Sequence, residues 1–124
     1  MMSDRRRKVG EQGERLAADY LLARGYEIVE RNHRTRQGEI DLIVRDQREL
    51  VFVEVRTRTT TRYGTPGESV DRRKQKKLRE LALAYLQQQG RPASSFRFDV
   101  IAITCPVGGT DWSQAEILHI EHAF

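Results

Sequence analysis

The chain has 124 residues, of which 38% are hydrophobic and 32% charged, and its net charge is +4. This length favours one domain with a single core, and no apolar run is long enough to span a membrane. The basic N-terminus is not followed by the apolar segment of a secretory signal. A single cysteine, Cys105, excludes an intramolecular disulfide and a multi-cysteine metal site. We therefore expect a cytoplasmic protein without a membrane partner.

Charge is distributed unevenly along the chain. The last 27 residues contain four acidic residues and no Lys or Arg, so they contribute −4 and the first 97 residues carry +8. Basic residues cluster within 5–8, 31–36, 56–62 and 72–79. Such asymmetry is typical of a protein with a polyanionic partner and favours nucleic acid. A solvated, highly charged surface would have the same composition.

Sequence patterns predict two helices and five strands. Residues 1–8 are expected to form a flexible basic tail, and residues 9–124 a single domain. One helix is predicted over 10–24, ending at Gly25, and a second from Ser69 or Asp71 to about Gln89. The predicted strands cover residues 26–32, 38–44, 50–56, 96–104 and 115–121. The order α-β-β-β-α-β-β predicts a mixed sheet flanked by helices.

Two polar stretches are predicted to be loops. Residues 32–38 form a basic connection between the first two strands. Residues 57–67 are rich in Thr, Gly and Pro and lack periodicity. Their length favours either a flap that orders on a nucleic-acid backbone or a simple connection.

The hairpin of residues 38–44 and 50–56 contains the candidate chemistry. Its polar connection, residues 45–49, predicts a loop longer than a two-residue turn. An acid within an apolar strand is costly unless something pairs with it, yet the two runs contain Asp41 and Glu54. Because strand side chains alternate, turning the apolar faces towards the core places both acids on the opposite face. The apolar faces are Ile40, Leu42 and Val44, and Val51, Val53 and Val55.

Two facing carboxylates suit a hard divalent cation. Mg²⁺ takes one or two protein carboxylates, waters and phosphate oxygens, and a cation beside a basic surface can polarise a phosphodiester. The alternative interpretation is a surface ion-pair ladder between Glu39, Asp41, Glu54 and Arg56.

Several motifs occur in an order that resembles the YraN family of small bacterial proteins. They are Gly10-Glu11-x-Gly13-Glu14-x-x-Ala17-x-x-Tyr20-Leu21-x-x-x-Gly25-Tyr26, Gly38-Glu39-Ile40-Asp41-Leu42-Ile43, Val51-Phe52-Val53-Glu54-Val55-Arg56, Lys74-Gln75-x-x-Leu78 and Arg97-Phe98-Asp99-Val100. That family in turn resembles the restriction-endonuclease-like PD-(D/E)XK superfamily, and within it the archaeal Holliday-junction resolvases. The resemblance covers nearly the whole chain after residue 8.

The resemblance implies an α/β fold with a restriction-endonuclease-like α-β-β-β-α-β core and a metal site on the central hairpin. It implies Asp41 and Glu54 as ligands of Mg²⁺ or Mn²⁺, and the Val55 carbonyl as a further ligand. Glu14, on the first helix, matches the acid that completes the site in resolvase-like members. Gln75 matches a helix residue that supports the site in some relatives.

Arg56 departs from the superfamily pattern, which usually has Lys at this position. A guanidinium stays protonated at any working pH, so Arg56 cannot be a general base. It can still bind the scissile phosphate and stabilise transition-state charge. Lys74 is a candidate source of an amine, but the sequence does not place it near Glu54.

We therefore predict a metal-dependent DNA endonuclease, with branched DNA as one candidate substrate. The catalytic set is Asp41, Glu54, Arg56 and Glu14. The predicted nucleic-acid contacts are Arg34, Arg36, Arg58, Arg62, Arg73, Lys74, Gln75 and Lys77. Two alternatives stay open: a non-catalytic nucleic-acid-binding module or adaptor on a nuclease fold, and a protein-interaction subunit with a solvated charged face. A homodimer is also left open.

Overall fold

The computed structural model describes residues 4–47, 49–59, 70–90, 95–105 and 111–124, with side chains from Arg7 onward. The helices are α1, Asp4–Ala23, and α2, Arg72–Gln88, with a short 3-10 turn at Trp112–Gln114. The strands are β1 Glu27–Thr35, β2 Gly38–Asp46, β3 Glu49–Arg58, β4 Phe96–Thr104 and β5 Glu116–Ile120. The predicted α-β-β-β-α-β-β order is confirmed, and with it the core expected of a restriction-endonuclease-like fold.

The five strands form one mixed sheet in the order β1-β2-β3-β4-β5. Neighbouring strands are antiparallel except β3 and β4, which are parallel. A parallel pair needs a long crossover, and α2 lies in the segment that supplies it. No described helix is long and apolar enough to cross a membrane.

The helices cover opposite faces of the sheet. Apolar residues of α1, including Ala17 and Leu21, pack against the strand residues Leu42, Val53 and Ile101. The stripe on α2, Leu78, Leu81, Ala82, Tyr85 and Leu86, packs against Ile43, Phe52 and Phe98. Because both faces are buried, β3 and β4 are apolar on both sides, as central strands covered by helices are.

The expectation of one apolar and one polar face on the hairpin is therefore wrong. By alternation Phe52 shares the face of Glu54, yet it is 2% exposed beneath α2. Ile40 packs in the same cluster as Ile43, apart from Leu42 and Val44. The side chains of β2 therefore do not alternate strictly between the two faces of the sheet: the alternation is interrupted around Asp41, between Ile40 and Ile43.

Two predicted connections are shorter than expected because the strands are longer. β1 continues to Thr35, so most of the predicted loop 32–38 is strand. β2 and β3 pair from Asp46 and Glu49, which leaves two residues between them. Gln47 has φ 57°, as a two-residue hairpin turn requires.

One predicted helix boundary is wrong and another is confirmed. α1 begins at Asp4 rather than Gly10, so residues 4–8 of the predicted tail are helical; Arg and Lys are good helix formers. The predicted Asp71 cap of α2 is confirmed, since its carboxylate accepts a hydrogen bond from the Lys74 amide at 2.9 Å. The predicted strand 96–104 is confirmed. Most of the predicted loop 57–67, from residue 60 onward, lies outside the described residues.

A buried polar network joins three strands and the residue before β1 on the α1 face. Arg97 is 7% exposed and Asp99 is 0% exposed. The Arg97 guanidinium donates to Asp99 Oδ1 at 3.0 Å, Glu49 Oε1 at 2.9 Å and the Tyr26 hydroxyl at 2.9 Å. His119 Nε2 lies 2.7 Å from Asp99 Oδ2. The network therefore ties β4 to β5, to β3 and to the residue that precedes β1.

Candidate metal and nucleic-acid site

Asp41 and Glu54 lie side by side on β2 and β3. They adjoin the last paired residues of the two strands, Leu42 and Val53, and their side chains are joined by a hydrogen bond. The two residues are only 8% and 6% exposed. Asp41 Oδ2 accepts a hydrogen bond from the Val55 amide at 2.8 Å, so its carboxylate is fixed against the backbone of β3.

The two carboxylates strongly perturb one another. Burial raises the pKa of Asp41 to about 8, and repulsion by Glu54 together with a hydrogen bond to Glu54 adds to the rise. The Val55 amide opposes this effect but does not cancel it. The pair therefore holds a proton near neutral pH, and a divalent cation could replace that proton. In this respect the donor set fits a hard metal ion.

Two cations approach Glu54 from different elements. Arg56 Nη2 lies 3.1 Å and Lys74 Nζ lies 3.5 Å from Glu54 Oε2. The contact with Lys74 could not be read from the sequence, because it depends on how the first turn of α2 lies over β3. The ion-pair ladder is present only in part: Arg56 pairs with Glu54, but Asp41 and Glu54 are buried. Glu39 pairs with Arg34 at 3.2 Å instead.

Two clefts adjoin the carboxylate pair. A groove of about 730 Å³ on the α2 side is lined by Arg56, Asp71, Arg73, Lys74, Lys76, Lys77 and Glu80. A smaller cleft of about 250 Å³ on the α1 side is lined by Glu11, Glu14, Arg15, Arg31, Asp41 and Leu42. The first is strongly basic and the second has mixed charge, so the electrostatic surroundings of the pair differ on its two sides.

Glu14 faces the smaller cleft together with Asp41. Burial raises the pKa of Glu14, and the negative charges of Glu39, Glu11 and Glu54 raise it further, while Arg34 lowers it. Across the described residues no three Asp, Glu, His or Cys side chains are grouped closely enough to hold a metal ion. Glu14 therefore acts on the pair through its charge and is not a third member of a compact ligand cluster.

Three of the predicted nucleic-acid contacts share the basic groove: Arg73, Lys74 and Lys77. Lys76 also lines it and was missed, although residues 73, 76, 77 and 80 have the spacing of one helix face. Gln75 has a different role, since its Nε2 donates to the Val70 carbonyl at 3.0 Å. Gln75 thus anchors the segment that leads into α2.

The remaining predicted contacts lie around this groove or outside the described residues. Arg34 is at the end of β1 and Arg36 is in the turn before β2, and both are exposed. A Cβ at Gly38 would lie 3.6 Å from the Lys77 side chain, so this turn lies against α2. Arg58 is half-buried at the end of β3. Arg62 lies outside the described residues.

Comparisons with known proteins agree on one family. Residues 13–103 match the model of the "Uncharacterised protein family UPF0102". A UPF0102 protein of Symbiobacterium thermophilum is 54% identical over 97 residues, covering 78% of this chain and 82% of the relative. One from Pelotomaculum thermopropionicum is 46% identical over 123 residues, covering 99% of this chain and 100% of the relative. One from Rhodococcus jostii is 47% identical over 116 residues, covering 94% and 95%.

Proposed function

The chain belongs to the UPF0102 (YraN) family, and on this premise we propose that it is a Mg²⁺- or Mn²⁺-dependent DNA endonuclease that hydrolyses phosphodiester bonds. One observation carries the proposal. The two buried, mutually repelling carboxylates Asp41 and Glu54 adjoin a basic groove. Burial and Glu54 both disfavour the ionised form of Asp41, and a divalent cation bound with a phosphate substrate would allow both acids to ionise.

Asp41, Glu54 and the carbonyl of Val55 would hold the metal ion. When bound, such an ion polarises the scissile phosphodiester and activates the attacking water. The hydrogen bond from the Val55 amide fixes the orientation of the Asp41 carboxylate before any ligand arrives. Preorganisation of this kind lowers the cost of assembling the site.

The basic groove would bind the nucleic-acid backbone. Its Lys and Arg side chains come mainly from one face of α2, and Arg56 extends the groove towards Glu54. Phosphate contacts by Lys and Arg give affinity that falls steeply with salt concentration. The exposed Arg34 and Arg36 near the turn before β2 would lengthen this surface.

Lys74 would supply the amine that the resemblance leads one to expect at position 56. Its Nζ and the Arg56 guanidinium approach the same oxygen of Glu54. A primary ammonium and a guanidinium are not interchangeable: the ammonium is a compact point charge, whereas the guanidinium can bind a phosphate through two hydrogen bonds. We therefore assign phosphate binding to Arg56 and charge neutralisation at Glu54 to Lys74.

A cleavage assay tests the proposal. Purified protein is incubated with Mg²⁺ or Mn²⁺ and labelled duplex, flap or four-way-junction DNA. Asp41→Asn and Glu54→Gln are expected to lower the cleavage rate at least about a hundredfold, the range reported for losing one preorganised electrostatic group. Glu116→Gln is the matched control, because Glu116 is an exposed carboxylate on the edge strand β5. Equal cleavage by all variants would refute the assignment and indicate a contaminating nuclease.

The runner-up function, a non-catalytic nucleic-acid-binding module, has its own supporting observation. Arg56 and Lys74 already neutralise Glu54, so the pair is held without a metal ion. This function predicts salt-dependent DNA binding with a slope set by the groove cations. It also predicts no cleavage with either metal, and unchanged DNA affinity in Glu54→Gln. Metal-dependent cleavage that is lost in Glu54→Gln would reject it.

A further inference from the structure

α1 approaches the sheet closely at Gly13, the residue before Glu14. α1 packs mainly over β3, and Gly13 is buried where it meets Thr57. A Cβ at Gly13 would lie 2.8 Å from both Cβ and Cγ2 of Thr57, and closer still to its hydroxyl. Real Cβ atoms essentially never approach so closely. No residue other than glycine can therefore occupy position 13 without moving the helix or the strand.

Conformational freedom does not explain this glycine. Gly13 lies inside the helix and is not among the glycines with positive φ. Glycine within a helix is less favourable than alanine. What Gly13 provides is space, which brings this turn of α1 closer to β3 than a side chain would allow.

The close contact is adjacent in sequence to the candidate site on both elements. Glu14 follows Gly13 on the helix, and Glu54 precedes Thr57 by three residues on the strand. Glu14 and Asp41 line the same small cleft. A displacement of the helix at Gly13 would therefore widen the separation between Glu14 and the carboxylate pair.

We propose that the contact between Gly13 and Thr57 is a positioning device that sets how far Glu14 stands from Asp41 and Glu54. In this role Gly13 and Thr57 are positioning residues that touch neither metal nor substrate. The contact matters for function because Glu14 adds negative charge where the cation binds. This inference rests on the proposed function and extends it to two residues outside the metal site.

Mn²⁺ calorimetry on the full chain tests this role without relying on cleavage. Gly13→Ala is expected to weaken Mn²⁺ binding about tenfold, the scale seen when groups around a metal site are disturbed. Gly10→Ala is the matched control, because it lies one turn earlier in the same helix. A Cβ there would meet no atom within 4 Å among the described residues outside the helix. Its Mn²⁺ affinity is expected to equal that of the wild type.

A compensating variant separates positioning from simple damage. Thr57→Gly removes the side chain that a Cβ at position 13 would strike. Gly13→Ala combined with Thr57→Gly is therefore expected to bind Mn²⁺ within about twofold of Thr57→Gly alone. In a Glu14→Gln background, Gly13→Ala is expected to cause no further loss of Mn²⁺ affinity, because the negative charge that a shift of the helix would move is already absent.

Glu14→Asp gives a test that does not depend on repacking the helix. It withdraws the carboxylate by one methylene group while leaving Gly13 and Thr57 in place. A loss of Mn²⁺ affinity similar to that of Gly13→Ala supports the inference. Unchanged Mn²⁺ affinity in Glu14→Asp, or in a folded Gly13→Ala, overturns the inference. If the wild type still binds Mn²⁺, the proposed function stands. Absence of Mn²⁺ binding by the wild type overturns both.

Discussion

The sheet contains two buried carboxylates in contrasting surroundings. Asp99 lies among groups that donate to it: although burial alone would raise its pKa, hydrogen bonds from His119 and Arg97 hold that pKa below its ordinary value. Asp41 instead lies beside Glu54, and burial together with repulsion by this acid raises the pKa of Asp41 to about 8. Both residues are buried, at 0% and 8% exposed, but their neighbours differ: hydrogen-bond donors surround Asp99, whereas an acid lies beside Asp41.

The contrast separates a polar cluster whose charges are satisfied within the chain from the carboxylate pair that we propose as a metal site. The charge of Asp99 is satisfied within the chain by Arg97, whose guanidinium also reaches Glu49 and the Tyr26 hydroxyl. At the hairpin, Arg56 and Lys74 contact Glu54, and repulsion between the two acids persists. The pair holds a proton near neutral pH, and a divalent cation could take the place of that proton.

The largest effect is expected from removing the central cation of the structural cluster. Arg97→Met leaves Asp99 buried without its guanidinium partner and should lower the free energy of unfolding by about 3–5 kcal/mol. Urea denaturation measures this loss. Arg45→Met is the control, because Arg45 pairs at 3.8 Å with Glu27, whose side chain is 68% exposed. That variant should lose less than about 1 kcal/mol. Equal losses would contradict the distinction.

Asp99→Asn should have the next largest effect, with a characteristic pH dependence. Its charged hydrogen bonds contribute about 1.5–3 kcal/mol at neutral pH. The native pKa lies below the unfolded value of 3.8, so this contribution is fully present above pH 3.8 and is lost as the pH falls through the native pKa. Unfolding measured from pH 7 to pH 2 should therefore show wild type and variant converging in acid. A constant difference would contradict the assignment.

Asp41→Asn should have the opposite effect on stability, raising it at high pH. Native Asp41 keeps its proton up to about pH 8, whereas the unfolded chain releases it near pH 3.8. Wild-type stability should therefore fall as pH rises between these values, and Asp41→Asn should escape that fall. At pH 9 the variant should be more stable than the wild type by at least about 1.4 kcal/mol, the equivalent of one pKa unit. Thermal unfolding from pH 4 to pH 9 measures the gain, and a destabilised variant at pH 9 would contradict the account.

The smallest effect is expected at the edge of the structural cluster. The Tyr20 hydroxyl lies 3.3 Å from His119 Nδ1, and the two rings meet edge to face. Tyr20→Phe removes the hydroxyl but keeps the ring contact, so it should cost about 0.5–1.5 kcal/mol. Urea denaturation measures the loss. A loss as large as that of Arg97→Met would contradict the prediction, because it would show that the network depends as much on the Tyr20 hydroxyl as on Arg97.

Local patterns in the sequence account for much of the fold. Helical spacing predicts α2 and its Asp71 cap, and a largely apolar run predicts β4. Turn lengths were predicted less well, because the polar residues 32–35 continue β1 as a paired strand. The interruption of alternation around Asp41 could not be predicted, since it reflects a hydrogen bond to the neighbouring strand.

The sequence likewise predicts some features of the candidate site and not others. The hairpin pattern predicts the adjacency of Asp41 and Glu54, although the alternation of side chains is interrupted around Asp41. The approach of Lys74 to Glu54 depends on tertiary packing of α2 and has no local signal. The structural cluster did have a signal: Arg97 and Asp99 stand two residues apart within an apolar strand, where charged residues must find partners.

Mn²⁺ binding measured by isothermal titration calorimetry tests the central claim most directly, because it requires no knowledge of the substrate. Wild-type protein should bind Mn²⁺, and Asp41→Asn and Glu54→Gln should each weaken binding at least about tenfold. Glu116→Gln should bind as the wild type does. Absence of binding to the wild type, or equal affinity in all four proteins, would contradict the assignment of Asp41 and Glu54 as a metal site.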